Sequence, residues 1–446
     1  ILIGMTFLVP ILVEKNLFIF PFIVPKILAF RSLVLLMLGC YLLLLASDWG
    51  RYKIKLNALN ISVAVFFLSF AISTFVGVDW YKSLWDNHER MLGLFTIFHY
   101  VVFYYITTVI INTWDEWKWL LRIFLGLGSV VMFIGFLQKY VNPELLLNRR
   151  APRVSASLGN AIYFSGYGIF LFFIGYLLAI KEKHKKENFW FWYAVIGGLL
   201  GFLGIFWGGT RGALLGLIAG LSVLAILYTF SLKEYKKTRQ TLGGLIVLGV
   251  IIMGLLFGFR QTDFVKNIPA VGRLVNTEIS STNPRVMAWG IAIDAWQEKP
   301  VFGWGPNNYY YAFNKYYRPE FLNFGWGETW FDNAHSVIMN TLAVQGIFGI
   351  ISYLGIYITV IFVLLRRYKK GDIDSHLVSV GIVFLLAHLV SLVTVFENPT
   401  SYLYFFFFLA FISNISLSRT EKESEDRNIS TGLSIVIVLV MFLFIF

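Results

Sequence analysis

The chain of 446 residues is 58% hydrophobic and 18% aromatic, with only 14% charged residues and a formal net charge of +12. Soluble globular domains hold roughly a quarter charged residues, so this composition excludes one, and apolar runs of about 20 residues point to membrane helices rather than a barrel. A single cysteine, Cys40, excludes a disulfide framework or a cysteine metal site, and positive charge gathered in short loops fits the positive-inside pattern better than nucleic-acid binding.

In chain order, membrane helices are predicted near 1–13, 27–46, 56–76, 93–112, 119–138, 161–180, 190–206, 212–230, 241–258, 335–365, 376–396, 401–417 and 431–446. This gives an all-α polytopic protein of about 12–13 spans, organised as one domain over 1–446. The run 335–365 is long for one span and is expected to be tilted or broken near Gly346 and Gly349. The six alternate loops at 47–55, 113–118, 181–189, 231–240, 366–375 and 418–430 hold 19 Lys and Arg, against 9 in the short loops of the other set. The basic set is therefore expected in the cytoplasm, with the long loop 259–334 and Arg211 facing outward. SRTEKESEDRN (418–428) reads as a solvated cytoplasmic linker. The chain opens ILIGMTFLVP without an initiator Met and closes in an apolar run, so trimming at both ends is expected.

The outward face holds the unusual chemistry. In the long loop, Asn283 and Pro284 read as the N-cap and first residue of a helix near 284–298 that stops at Pro300. Val286, Trp289, Ile293 and Trp296 share one face, so this helix is expected to lie flat on the membrane surface. Arg285 falls in its first turn, where a cation opposes the helix dipole; it either shares the site with an anionic partner, pairs with a carboxylate or reaches headgroups. Arg211, in WGGTRGALLG (207–216), has the same placement, with Thr210 as the expected cap. Gly212, Gly216 and Gly220 form a packing stripe, whereas a charge at membrane depth is costly and points to function. His335, in FDNAHSVIMN, is expected to start the tenth helix. Its neutral imidazole could accept a hydroxyl proton, or it could be a hydrogen-bonded structural residue.

Arg149, Arg150 and Arg153 form a third external cluster, which could also bind phospholipid headgroups. Trp304, Tyr309, Tyr310, Tyr311, Tyr316, Tyr317, Trp326 and Trp330 fit an interfacial belt better than sugar platforms. The external carboxylates Asp79, Asp86, Glu89, Asp263, Glu278, Asp294, Glu328 and Asp332 are scattered without metal-ligand spacing, so no metal is expected.

The order and spacing of FPFIVPKILAFR (20–31), GVDWYKSLWDNHERMLGLF (77–95), RVSASLGNAIYFSGY (153–167), GGTRGALLGL (208–217), NPRVMAWGIAIDAWQEKPVFGWGPNNY (283–309) and NAHSVIMNTLAVQGIFG (333–349) resemble the bacterial O-antigen ligase superfamily, WaaL-like proteins sharing the Wzy C-terminal region. The resemblance implies a GT-C-like glycosyltransferase of the bacterial cytoplasmic membrane. Such an enzyme moves a glycan from a polyprenyl-diphosphate carrier to a hydroxyl of a lipid-linked saccharide or a protein, on the outer side, without a metal or other cofactor and with inversion. By the same resemblance Arg211, Arg285 and His335 are the catalytic residues. Arg153, Arg90 and Asn333 are added as expected substrate contacts, the first two to diphosphate or glycan. A helix at 431–446 after a charged linker implies an extracytoplasmic domain of TPR type beyond it.

Two other functions fit parts of this pattern. A Wzy-type polymerase would use the same donor and a second carrier-linked glycan. A transporter or flippase of lipid-linked glycans would need polar groups along a membrane path and inverted repeats, and within the predicted helices only Arg31 and Arg122 are clear basic residues.

Overall fold

The computed structural model describes residues 1–147, 153–182, 189–231, 236–276 and 283–416, whose regular structure is helical, with no strand among them. The expected helix at 431–446, the linker at 418–428, and Arg149, Arg150 and Glu278 lie outside the described residues. A short helical segment, Leu2–Met5 running into a 3₁₀ turn over Thr6–Ile11, precedes α1 (Val24–Ser47), α2 (Ala58–Val76), α3 (Leu94–Ile110), α4 (Trp114–Tyr140), α5 (Ala161–Lys181) and α6 (Phe189–Gly208). Then come α7 (Arg211–Ser231), α8 (Lys236–Gly258), α9 (Pro284–Glu298), α10 (Tyr309–Lys315), α11 (Val337–Lys369), α12 (Ser375–Leu392) and α13 (Pro399–Ser416). Among the described residues, eight helices (α1, α2, α4 to α7, α11 and α12) are long and apolar enough to cross a membrane. The remaining expected segments are apolar helices of 10–17 residues at Leu2–Ile11, Leu94–Ile110, Ile246–Gly258 and Pro399–Ile415.

Local chemistry moves some boundaries. α4 starts at Trp114 rather than near 119, because Thr113 and Glu116 form a capping box with reciprocal side-chain to backbone bonds of 3.2 and 2.8 Å. α1 starts early enough to include Lys26, which the sequence pattern had left in a loop. Lys26 is buried, and its ammonium donates to the carbonyls of Leu12, Phe22 and Ser157 at 2.7–2.8 Å. The intrahelical arginines are likewise occupied: Arg31 donates to Thr96, and Arg122 pairs with Glu182 while stacking on Trp190.

α11 breaks at Gly346, whose φ of 63° and ψ of −160° are open to glycine and strained for other residues. A broken helix strands backbone groups that lipid cannot satisfy. Here the segment 300–305 takes them. Ile347 N donates to Pro300 O (2.9 Å) and Phe348 N to Val301 O (3.3 Å), while Trp304 N and Gly305 N donate to Ala343 O (3.1 Å) and Val344 O (2.8 Å). The Ser73 hydroxyl of α2 bonds to both sides of this joint, at Phe302 O (2.7 Å) and Val344 O (2.9 Å). The long loop is thereby threaded into the membrane bundle.

α9 begins as its sequence dictates, with the Asn283 side chain accepting from Arg285 N. Its buried face is Met287, Ala288, Ile291, Ala292 and Ala295, packed on α11 and on a core of loop aromatics. The Trp289–Ile293 face is the one left partly exposed. Trp304 and Tyr309 are not belt residues: both are buried in that core, donating to Ala295 O and Ala288 O.

The bundle closes through glycines. The stripe Gly212–Gly216–Gly220 faces α12, where Ser391 and Ala387 would meet any added Cβ, and α5 meets α6 where a Cβ on Gly175 would lie 2.6 Å from Gly198 Cα. Gly175→Val is expected to cost about 1–3 kcal/mol by overpacking, read as a lower thermal unfolding midpoint in detergent. Gly243→Ala, whose Cβ would have nothing within 4 Å, should leave the midpoint unchanged or raise it; equal midpoints for the two variants would contradict this packing account.

Candidate active site

The turn between α6 and α7 organises one end of the bundle. Gly209 adopts φ 59°, and a Cβ on Gly208 would run into Ser165 and Ala161 of α5. The glycines of GGTR therefore serve a left-handed residue and a close approach. Thr210 does not cap α7 with its side chain: its buried hydroxyl has no hydrogen-bond partner.

Four arginines converge on this turn. Arg211 opens α7. Arg153 precedes Val154, whose N–H donates to Trp207 O (3.2 Å). Arg273 donates to Gly209 O (3.3 Å). Arg285, on the first turn of α9, donates to Thr394 O (3.1 Å), and Thr394 Oγ1 lies 3.0 Å from where a Gly212 Cβ would be. The guanidinium of Arg285 is held below its ordinary value by burial first, then by the charges of Arg211, Arg273 and Arg153, with Glu328 opposing. Arg153 is lowered by burial and then by Arg273 and Arg211. Like charges kept this close stabilise any anion that enters among them. An open basin of about 890 Å³ lies there, lined by Arg211, Gln261, Lys266, Gly272, Arg273 and Asn276.

His335 adjoins this cluster, although it does not start a helix. Ser336 caps α11, and His335 stands just before it with φ 52°. Its Nδ1 lies 3.0 Å from Asn333 O, and its N–H donates to Asn333 Oδ1 at 3.1 Å. A carbonyl only accepts, so Nδ1 carries the hydrogen and Nε2 carries the lone pair. Burial, then the charge of Arg285, push the imidazole down to about 4, against the pull of the Asn333 carbonyl, so it is neutral at physiological pH.

Asn333 thus holds His335 through both its oxygens. Arg90 makes a two-bond pair with Asp332, at 2.6 and 2.7 Å, and lies 4.1 Å over the Phe396 ring, which also packs edge-on against His335. Burial raises the Asp332 carboxyl, but the Arg90 hydrogen bond and charge outweigh it and hold it below the usual range. The residues brought together are therefore Arg153, Arg211, Arg285, Asn333, His335 and, through Asp332, Arg90. Three further participants had no signal of their own in the sequence: Arg273, and Thr394 and Phe396 from the short α12–α13 connection. No group of three or more His, Cys, Asp or Glu side chains comes together among the described residues.

Residues 196–354 match the family model described as O-Antigen ligase. Over that stretch the chain is similar to the O-antigen ligase family. The matched stretch carries Arg211, Arg273, Arg285, Asn333 and His335, while Arg90 and Arg153 lie before it. The chain is also 22% identical over 409 residues to an uncharacterized protein of Haemophilus influenzae, covering 86% of this chain and 92% of that relative. This match and the apolar helices together support a multi-pass bacterial membrane protein of the ligase or polymerase kind.

The Arg90–Asp332 pair yields a direct test. Both side chains are less than one-fifth exposed, so Asp332→Ala leaves a largely buried guanidinium unpaired at an expected cost of about 3 kcal/mol. Because the folded carboxyl titrates below its unfolded value, its contribution is fully present above about pH 4 and is lost as pH falls through the lower folded value. Asp332→Asn should flatten the acid limb of the unfolding midpoint between pH 3 and 7; an unaltered limb would show that the pair is not coupled to folding.

Proposed function

We propose that this protein transfers a glycan from a polyprenyl-diphosphate carrier to an acceptor hydroxyl at the outer face of the cytoplasmic membrane. The observation that carries this reading is the convergence of Arg153, Arg211, Arg273 and Arg285 beside a neutral histidine whose Nε2 holds the lone pair. In the reaction the acceptor oxygen attacks the anomeric carbon and gives its proton to His335 Nε2. The bond from that carbon to the phosphate oxygen breaks, and its electron pair leaves with the diphosphate. Negative charge grows on the leaving group, which the fixed guanidiniums stabilise as a cation would. Attack opposite the leaving group inverts the anomeric centre. Arg90 and Asn333 act here as positioning residues, because their polar atoms hold the 332–335 turn.

Donor binding also sharpens the base. The diphosphate compensates the charge of Arg285, the second cause of the low imidazole value, so His335 becomes more basic once the donor is seated. Inhibition by diphosphate product follows from the same electrostatics.

Purified full chain in detergent, given a polyprenyl-diphosphate glycan and candidate acceptors, tests the reading. Arg211→Ala and Arg285→Ala should each lower turnover by about 100-fold or more, with EDTA without effect on the parent. Full activity in either variant would remove that residue from the site, and loss of transfer on chelation would sink the arginine mechanism. The acid limb of kcat/KM, which reports free enzyme, should fall near pH 4, and that of kcat should lie at higher pH. If His335→Ala kept the parental rate and profile, the base would be elsewhere.

A further inference from the structure

A second cleft adjoins the histidine but includes none of the four clustered arginines in its wall. Asn333 and Val337, on either side of His335, line it, as does Phe396, whose ring contacts His335. Its two charged wall residues are already matched. Arg90 is paired with Asp332. Glu397 accepts from Tyr353 (3.1 Å) and Ser401 (2.5 Å) and lies 3.2 Å from His388 Nε2. The other polar wall residues are uncharged: Asn307, Asn333, Asn340, Thr341, Gln345 and Tyr402.

Two of these amides are unsatisfied. Gln345 is only 7% exposed, and its Oε1 has no hydrogen-bond partner; Asn307 Nδ2 has none either. An unmet buried polar group costs about 1–3 kcal/mol, and native proteins rarely keep one without a use. Asn307 is moreover held at φ 63°, and Gln345 immediately precedes the break at Gly346. One orphan is an acceptor and the other a donor. A sugar hydroxyl is both donor and acceptor, so neighbouring hydroxyls on one ring meet this pair, whereas an anion would meet only the donor and be opposed by the acceptor.

We infer that this cavity seats the acceptor as a neutral sugar, bonded through its hydroxyls by Gln345 and Asn307 and presenting one further hydroxyl to His335 Nε2. The role as acceptor site rests on the transfer reading above; the chemistry of the ligand rests on the cavity itself. The donor diphosphate and the acceptor sugar then approach the histidine from a cationic and a neutral compartment.

The test uses the full chain in detergent with methyl α-D-glucopyranoside, methyl α-D-galactopyranoside and methyl N-acetyl-β-D-glucosaminide as neutral probes, glucuronate as the anionic control, and inorganic pyrophosphate for the basin. Saturation-transfer NMR should detect at least one neutral glycoside. Its affinity should fall about ten-fold, one lost hydrogen bond's worth, in Gln345→Met and in Asn307→Gly, the latter suited to the positive φ. Pyrophosphate affinity by calorimetry should stay at the parental value in both, which also shows that they fold. No binding by any neutral glycoside, unchanged affinity in both variants, or glucuronate binding as tightly as the neutral probes would each overturn the inference. The donor reading is judged separately: parental pyrophosphate affinity in Arg285→Ala would overturn that reading and leave the glycoside result standing.

Discussion

The break in α11 at Gly346 is the constraint on which the rest of the site depends. A helix interrupted inside a bundle must find partners for its freed backbone groups, and in a lipid setting only protein supplies them. Residues 300–305 do so with four backbone bonds. That joint ties the long loop to the bundle. It ends α9 one turn before the joint, directs the chain into the core built by Trp304, Tyr309 and Phe313, and places the 332–336 turn at the head of α11. Two ordinary spans joined by a surface loop would leave Arg285 and His335 free to drift apart. With the joint, they are fixed to the same element from its two sides.

Two of the clustered arginines are anchored on backbone. Arg273 and Arg285 each spend a donor on a carbonyl, at Gly209 and Thr394. A carbonyl orients a guanidinium without cancelling its charge, whereas the Asp332 carboxylate does cancel that of Arg90. In the proposed reaction the arginine cluster meets an anion, whereas the Arg90–Asp332 pair holds a loop.

Much of the frame was legible in the sequence because it rests on local rules. Apolar length gave the spans, Asn283 and Pro284 gave the start of α9, and a 33-residue run with an internal glycine foretold the break. What depends on distant partners was not legible. The pairing of Arg90 was not legible because its carboxylate is 242 positions away. Trp304 and Tyr309 looked interfacial because aromatic composition is the same in a belt and in a small core. Thr394 and Phe396 sit in a connection of six residues with no motif, and matter only because folding lays it against Arg285 and His335. Arg273 lies in a stretch too short and irregular for any periodic signal.

The site also imposes an order on the proposed reaction. With the basin empty, burial and Arg285 keep the imidazole a weak base, so an acceptor hydroxyl arriving first meets little driving force for proton transfer. An anion among the arginines removes part of that field and strengthens the base at the moment when a leaving group is present. In the proposed reaction the same charges serve twice: they would stabilise the departing diphosphate, and through their effect on His335 they would tie proton transfer to the presence of the donor. Such coupling needs the histidine within the electrostatic reach of the basin but outside its hydrogen bonds. Asn333, which binds His335 from the side of α11, provides that separation.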